Sequence, residues 1–550
     1  MTTITAQPHP VAPAREDRTT TGTWRLVRLL LRRDRIKLPA WVLGTTLFVF
    51  YFNTALPTIA PTEADLAAFS QFSEGPVGAV LSGPGYGFDA DLTYQVFFVG
   101  TYGLYFLITA AIMNILLVSR HTRVEEQSGR AELVRASVIG RNAPLTATLV
   151  IALIANVALA LLLGAATASF GYPAHGSMLF GAGVGAAGLA FAGLTALTVQ
   201  VTEYSRAASG LAGAALGAAY LIRAAGDMLT EHGSLLSWFS LLAWSQQTRP
   251  FVDERWWPLL LSLGFAAATA AAGYALATRR DIGAGLTAPR PGRAGAAQWL
   301  RSPAALALRL QRASILGWAA ALGVLSITYG LLVGPMTETF TEMSDVFLEV
   351  IGGEEDLING YLSFMAIYDV ALVGIFAILA VQGLRGEESK GRAEPVLATA
   401  TSRVRWFGTY LAVTAVGAIV ILGVAGFTFG LGAAISAGDA ALTWDLTVAH
   451  LVRTPEALVF MAVAALLFGI APRAVPLAWA VLVYAFLTAF FGQLLDLPQW
   501  LFNASPLDHI ARMPLEDFEL APVLIVTAIA VAVAAFGLWA FRRRDLATTA

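Results

Sequence analysis

The sequence predicts an all-α polytopic membrane protein of about twelve transmembrane helices, arranged as two parallel six-helix repeats. Composition, the placement of the basic residues and an internal duplication predict it. Of 550 residues, 57% are hydrophobic and 13% charged, against about 25% charged in soluble domains. The apolar residues come in blocks near the ~20 residues a helix needs to cross ~30 Å of hydrocarbon. The blocks cover 39–58, 96–118, 145–167, 179–201, 208–226 and 258–278, then 315–334, 364–384, 407–430, 455–471, 475–493 and 521–541. A polar, Pro- and Thr-rich stretch over residues 1–22 reads as a disordered tail and has no secretory-signal pattern.

A cytoplasmic N-terminus requires bases to crowd the tail, the loops after even-numbered spans and the C-terminus. All but Arg223, Arg249, Arg255, Arg453 and Arg512 of the 35 Lys and Arg do so. The loop over 335–363 is instead acidic, with Glu338, Glu342, Asp345, Glu349, Glu354, Glu355 and Asp356. The expected location is the plasma (inner) membrane, multi-pass, with both termini cytoplasmic.

Residues 125–141 (EEQSGRAELVRASVIGR) and 387–403 (EESKGRAEPVLATATSR) share nine of seventeen positions without a gap, at an offset of 262. Trp238 and Trp500 keep that offset, and Trp41 and Trp318 match more loosely. The halves end alike, in Thr278-Arg279-Arg280-Asp281 and Arg542-Arg543-Arg544-Asp545. Equivalent loops on one side of the membrane imply parallel repeats. The reading is a first half over 23–282, a linker over 283–302 and a second half over 303–550.

Within the repeated loop, Glu126 and Arg130, like Glu388 and Arg392, are spaced i,i+4, which predicts helical ion pairs. Gly129 and Gly391 permit a turn. Doubling of the loop favours a docking element for a soluble partner over simple solvation of a helix end. Thr23–Lys37 sets Trp24, Val27, Leu30 and Leu31 against Arg25, Arg28, Arg32 and Arg35, an interfacial helix with arginines toward lipid phosphates. Ser302-Pro303 begins a weaker copy, as N-cap and first-turn residue.

The membrane interior holds few ionisable groups. Asp369 is the clearest, and Leu107 is its first-half counterpart. Arg223 and Asp227 are expected to pair with each other or with water. Glycines in spans four and five (Gly181, Gly185, Gly188, Gly193; Gly210, Gly213, Gly217) predict close helix approach. Aromatic residues suited to a large apolar ligand concentrate in spans two, eight and eleven: Phe98, Tyr102, Tyr105 and Phe106; Phe364 and Tyr368; Tyr484, Phe486 and Phe490. The net charge of −2 does not point to nucleic acid, and with no cysteine and six scattered histidines no metal site is expected. Lys37 follows Ile36 and Lys390 follows Ser389, so neither lysine belongs to a phosphate-binding loop.

The doubled E-E-x-x-G-R-x-E loop resembles that of ABC-transporter permeases of the actinobacterial antibiotic-exporter group (exporters of polyketide antibiotics, or tetronasin-type permeases), and the similarity spans Trp24 to Asp545. The resemblance implies a type V exporter fold in each half. It places Glu125, Glu126, Gly129, Arg130 and Glu132, and Glu387, Glu388, Gly391, Arg392 and Glu394, at coupling helices contacting an ATPase. It implies two copies of a separate ATPase subunit holding ATP and magnesium, no cofactor on this chain, and export of bulky hydrophobic compounds. The Thr23–Lys37 helix would be the connecting helix, the segments around Trp238 and Trp500 outer re-entrant hairpins, and spans two, five, eight and eleven the substrate path. Pro395, where the first copy has Leu133, departs from symmetry. A twelve-helix proton-coupled drug transporter is the alternative, although its G-x-x-x-D-R-x-G-R-R loop is absent. A membrane enzyme would need a clustered polar site, which the sequence does not offer.

Overall fold

The computed structural model describes residues 19–62, 66, 76–89, 92–230, 232–281, 283–287, 294–334, 336–337, 354–492 and 497–546. Most of the tail, linker residues 288–293 and the acidic residues Glu338, Glu342, Asp345 and Glu349 lie outside that set. Among the described residues there is no β-strand, and twelve helices are long and apolar enough to cross a membrane. In hydrocarbon a helix satisfies every backbone polar group within its own segment, so continuous apolar blocks become helices. The chain divides into two compact units, Met1–Gly292 and Arg293–Ala550.

In the first unit a short helix, Thr23–Arg33, precedes span one (Lys37–Ile59). Spans two to six follow as Tyr94–His121, Ala143–Ala168, Ala174–Val201, Ser205–Leu229 and Leu259–Ala277. Span four forms the centre. A Cβ on Gly181 would strike Ala160 O of span three, and one on Gly193 would lie 2.5 Å from Ala266 O of span six. These glycines bring backbones together, as expected. Gly210, Gly213 and Gly217 do not: a Cβ there meets nothing within 4 Å among the described residues. Span five buries Ala208, Ala212, Ala219 and Arg223 instead, so its glycines lie on the other face.

In the second unit span seven is one helix, Pro303–Gly330, capped by Ser302 Oγ accepting from Ala305 N at 3.2 Å. The weaker copy of the amphipathic segment is thus fused to the span, whereas in the first unit a turn at Asp34 separates the two. Spans eight, nine, eleven and twelve are Glu354–Ser389, Arg403–Ala437, Ala478–Phe491 and Leu520–Arg543. Span ten is broken at Arg453 into Leu442–Val452 and Thr454–Ile470, and so begins earlier than the apolar block suggested.

The five bases that depart from the inside rule each have a carboxylate partner. Arg223 pairs with Asp227 (3.2 Å), Arg249 and Arg255 share Asp253 (2.8 and 2.6 Å), Arg453 pairs with Glu456 (3.0 Å) and Arg512 with Asp508 (2.8 Å). Arg223 and Arg453, both fully buried, also donate to backbone carbonyls, Ala79 O at 2.7 Å and Leu507 O at 3.0 Å. A buried guanidinium has five donors, and in both residues the terminal nitrogens are the ones that find acceptors.

Spans seven and nine meet at Gly330, where a Cβ would collide with Phe429 O and stand 2.8 Å from Ala433 N. Gly330→Val should lower stability by about 1–3 kcal/mol, read as a lower melting temperature in detergent. Gly317→Ala, with nothing within 4 Å among the described residues, should not lower it and should raise it slightly, since Ala favours a helix interior over Gly.

Candidate functional site

The repeated loop forms the same small machine twice. Beyond span two the chain breaks at Thr122 and forms Arg123–Gln127, then turns at Gly129 (φ 73°) into Arg130–Arg135. In the second unit span eight runs on to Ser389, Gly391 turns with φ 69°, and Ala393–Leu397 follows. Left-handed backbone is what glycine adopts without penalty.

That turn changes the expected ion pairs. Because Gly129 and Gly391 interrupt the helix, residues four apart no longer face one another. The pairs form instead five apart, from the first glutamate of each motif. Arg130 grips Glu125 with two bonds, at 2.9 and 3.0 Å. Arg392 grips Glu387 in the same way, at 3.0 and 2.6 Å. The carboxylate raises each guanidinium above its ordinary pKa.

The second glutamate points inward. Glu126 receives both terminal nitrogens of Arg280, at 2.9 and 2.8 Å, and Nη1 of Arg123 at 2.8 Å. Glu388 receives both of Arg544, at 2.6 and 2.6 Å. Arg280 and Arg544 occupy equivalent places in the two Arg-Arg-Asp endings, so the loop after each unit's second span is tied to the end of its last. A third contact repeats. Arg141 donates to Thr278 O at 2.9 Å, and its counterpart Arg403 to Arg544 O at 2.7 Å. Both cap the carboxyl end of the last helix, where unpaired carbonyls attract a cation.

The first unit adds contacts that do not repeat. Arg33, at the end of the amphipathic helix, pairs with Glu125. Asp34, fully buried, bonds His121 Nε2 at 2.6 Å and pairs with Arg120. Arg123, fully buried, donates from Nε to Val199 O at 2.9 Å and from Nη1 to Ala284 O at 3.0 Å. The outer surface of the loops is different in kind. Leu133 is 76% and Val138 89% exposed, with Arg130 and Glu132 beside Leu133. In the second unit Arg392, Glu394 and Pro395 are exposed. The motif residues therefore divide into inward braces (Glu126, Glu388) and an outward ridge (Arg130, Glu132, Arg392, Glu394).

The aromatic residues also divide. Phe98 and Phe106 are buried and pack edge-on against Phe180 of span four at 5.7 and 5.5 Å. Tyr102 stacks on Phe52 of span one at 4.1 Å, while Tyr105 is exposed. In the second unit Phe490 gathers Phe364 at 4.8 Å, Tyr368 at 6.0 Å and Phe486 at 4.5 Å into one cluster between spans eight and eleven. Tyr484 is half-buried and bonds Leu501 O.

Asp369 is buried. Ser326 Oγ donates to its Oδ2 at 2.8 Å, and His450 Nε2 lies 3.3 Å from the same oxygen. Neither partner was singled out from sequence, where His450 is one of several scattered histidines.

Twelve spanning helices in two units, each with a braced loop at its arginine-rich end, define a multi-pass membrane protein built by duplication. A sequence profile described as the C-terminal domain of the multidrug efflux system permease Rv1217c matches residues 26–276 and 300–542, one stretch in each unit. The chain is also 36% identical over 532 residues to a protein of Mycobacterium tuberculosis (strain ATCC 25618 / H37Rv) named multidrug efflux system permease protein Rv1217c, covering 96% of this chain and 95% of that one. The chain belongs to the Rv1217c-type multidrug efflux permease family.

Arg544→Ala would leave the nearly buried Glu388 carboxylate without its bidentate partner. Removing one member of such a pair costs about 3 kcal/mol. Backbone amides of residues 386–397 should then exchange with deuterium roughly a hundredfold faster, and unchanged exchange would show that the pair does not brace the loop.

Proposed function

We propose that this chain is the membrane-spanning permease of an ATP-driven exporter, acting with two copies of a separate ABC ATPase and carrying bulky hydrophobic compounds outward. The observation that supports this most is the doubled loop: two exposed ridges carrying a repeated Arg and Glu, each tied by a carboxylate–guanidinium pair to the end of its own unit's last span. Force applied at such a ridge is passed to the second and last spans together, because the loop cannot move without drawing on Arg280 or Arg544. That neither lysine lies in phosphate-loop context supports assigning the nucleotide and its magnesium to the partner. Each ridge, mixed apolar and charged, suits a groove on a soluble subunit.

A second reading, proton-driven transport, rests on the buried Asp369–His450 contact in the second unit. Efflux that survives ATP depletion and stops on collapse of the proton gradient would favour it.

The docking role is tested at the ridge, because the glutamates brace the loops from within. Leu133→Asp combined with Pro395→Asp should reduce co-purification of a co-expressed ABC ATPase that the wild-type chain retains at least tenfold, with helical content unchanged by circular dichroism. Undiminished co-purification would overturn the docking role.

A further inference from the structure

A cavity of about 660 Å³ opens at the arginine-rich end of the first unit, between spans one, two and five. Its rim carries three bases from three helices: Lys37 opens span one, Arg120 lies near the end of span two, and Arg206 lies in the first turn of span five. Arg120 is neutralised by the buried Asp34, which His121 also holds. Among the described residues, the side chains of Lys37 and Arg206 have no ion-pair or hydrogen-bond partner. Beside them stand hydroxyls: Ser209 Oγ donates to Ser119 Oγ at 2.7 Å, and Ser205 donates to Gln127 Oε1 at 2.6 Å. Below the rim the wall is apolar, with Leu38, Trp41, Met113 and Leu116.

Two cations unpaired among the described residues, over an apolar shaft, call for a ligand with an anionic head and a hydrocarbon body. The inside rule places this rim at the cytoplasmic surface, at headgroup depth. Cations there attract anionic headgroups, and the long stems of Lys and Arg lie along apolar surface while their charges reach the phosphate. We infer that the first unit holds an anionic phospholipid of the inner leaflet, its phosphate between Lys37 and Arg206 and one acyl chain against Trp41 and Leu116. The second unit is not equipped in the same way. By the tryptophan alignment Ser314 stands in place of Lys37, so one of the two cations is missing there. One such site per chain follows, whatever energy source drives transport.

The test uses the purified full-length chain in neutral detergent, offered equimolar dioleoyl phosphatidylglycerol and dioleoyl phosphatidylcholine, with retained lipid counted by native mass spectrometry. Wild-type protein should retain the anionic lipid at least tenfold over the zwitterionic one. Lys37→Gln with Arg206→Gln should lower that preference about tenfold or more, and Lys37→Arg with Arg206→Lys should keep it. Arg301→Gln, at an exposed base of the second unit, should leave it unchanged. Full preference in the double glutamine variant would overturn the assignment. So would equal retention of both lipids by wild-type protein, or displacement of phosphatidylglycerol by inorganic phosphate alone, which would mark a site for a free anion.

Discussion

A glutamate near the end of a transmembrane helix is costly to bury alone, and so is an arginine at the end of another. In each unit the two solve one another's problem, Glu126 with Arg280 and Glu388 with Arg544. The pairing joins residues more than 150 positions apart and closes the unit at one end. Arg141 and Arg403 reinforce the closure through the backbone of the last helix. With the inward carboxylate fixed, the first glutamate can hold the turn and the following short helix can stand outward.

Around this shared frame the units differ. The first concentrates polar contacts at its basic end, through Asp34, His121, Arg123 and Arg33. Each also buries an arginine–carboxylate pair, Arg223 with Asp227 and Arg453 with Glu456, and the second sets a histidine beside a carboxylate within its spans, at His450 and Asp369. Their aromatic residues follow suit, packed into the core around Phe180 in one and clustered on Phe490 in the other. Duplication has kept the loop and its tether while the interiors diverged, which is how one fold comes to hold two dissimilar internal surfaces.

Helix number and order were legible in the sequence because lipid imposes a length and a composition on every span. The loop was legible because it occurs twice. Its ion pairs were misjudged: spacing alone favoured Glu126 with Arg130, but a left-handed glycine between them breaks the helical geometry that spacing assumes. The tether to Arg280 and Arg544 had a signal in the matched Arg-Arg-Asp endings, yet only the fold brings those endings to the loop. Gly210, Gly213 and Gly217 show the other limit, since a glycine pattern states that close approach is permitted and not which face is used. The Asp369–His450 contact joins two helices through residues with no repeat and no motif, so nothing in one dimension announced it.

The turn at Asp34 has a mechanical meaning. Span seven and its amphipathic start are one rod of 28 residues, about 42 Å long at 1.5 Å per residue. A tilt of its membrane portion must lift or press its polar end by the same angle. In the first unit the equivalent piece is bent at Asp34, and the Thr23–Arg33 helix lays Leu26, Val27 and Leu30 against the start of span three, latched there through Asp34 and Arg33. Two pieces of similar outline, one a straight rod and one bent and latched to its neighbours, carry the same push along different routes.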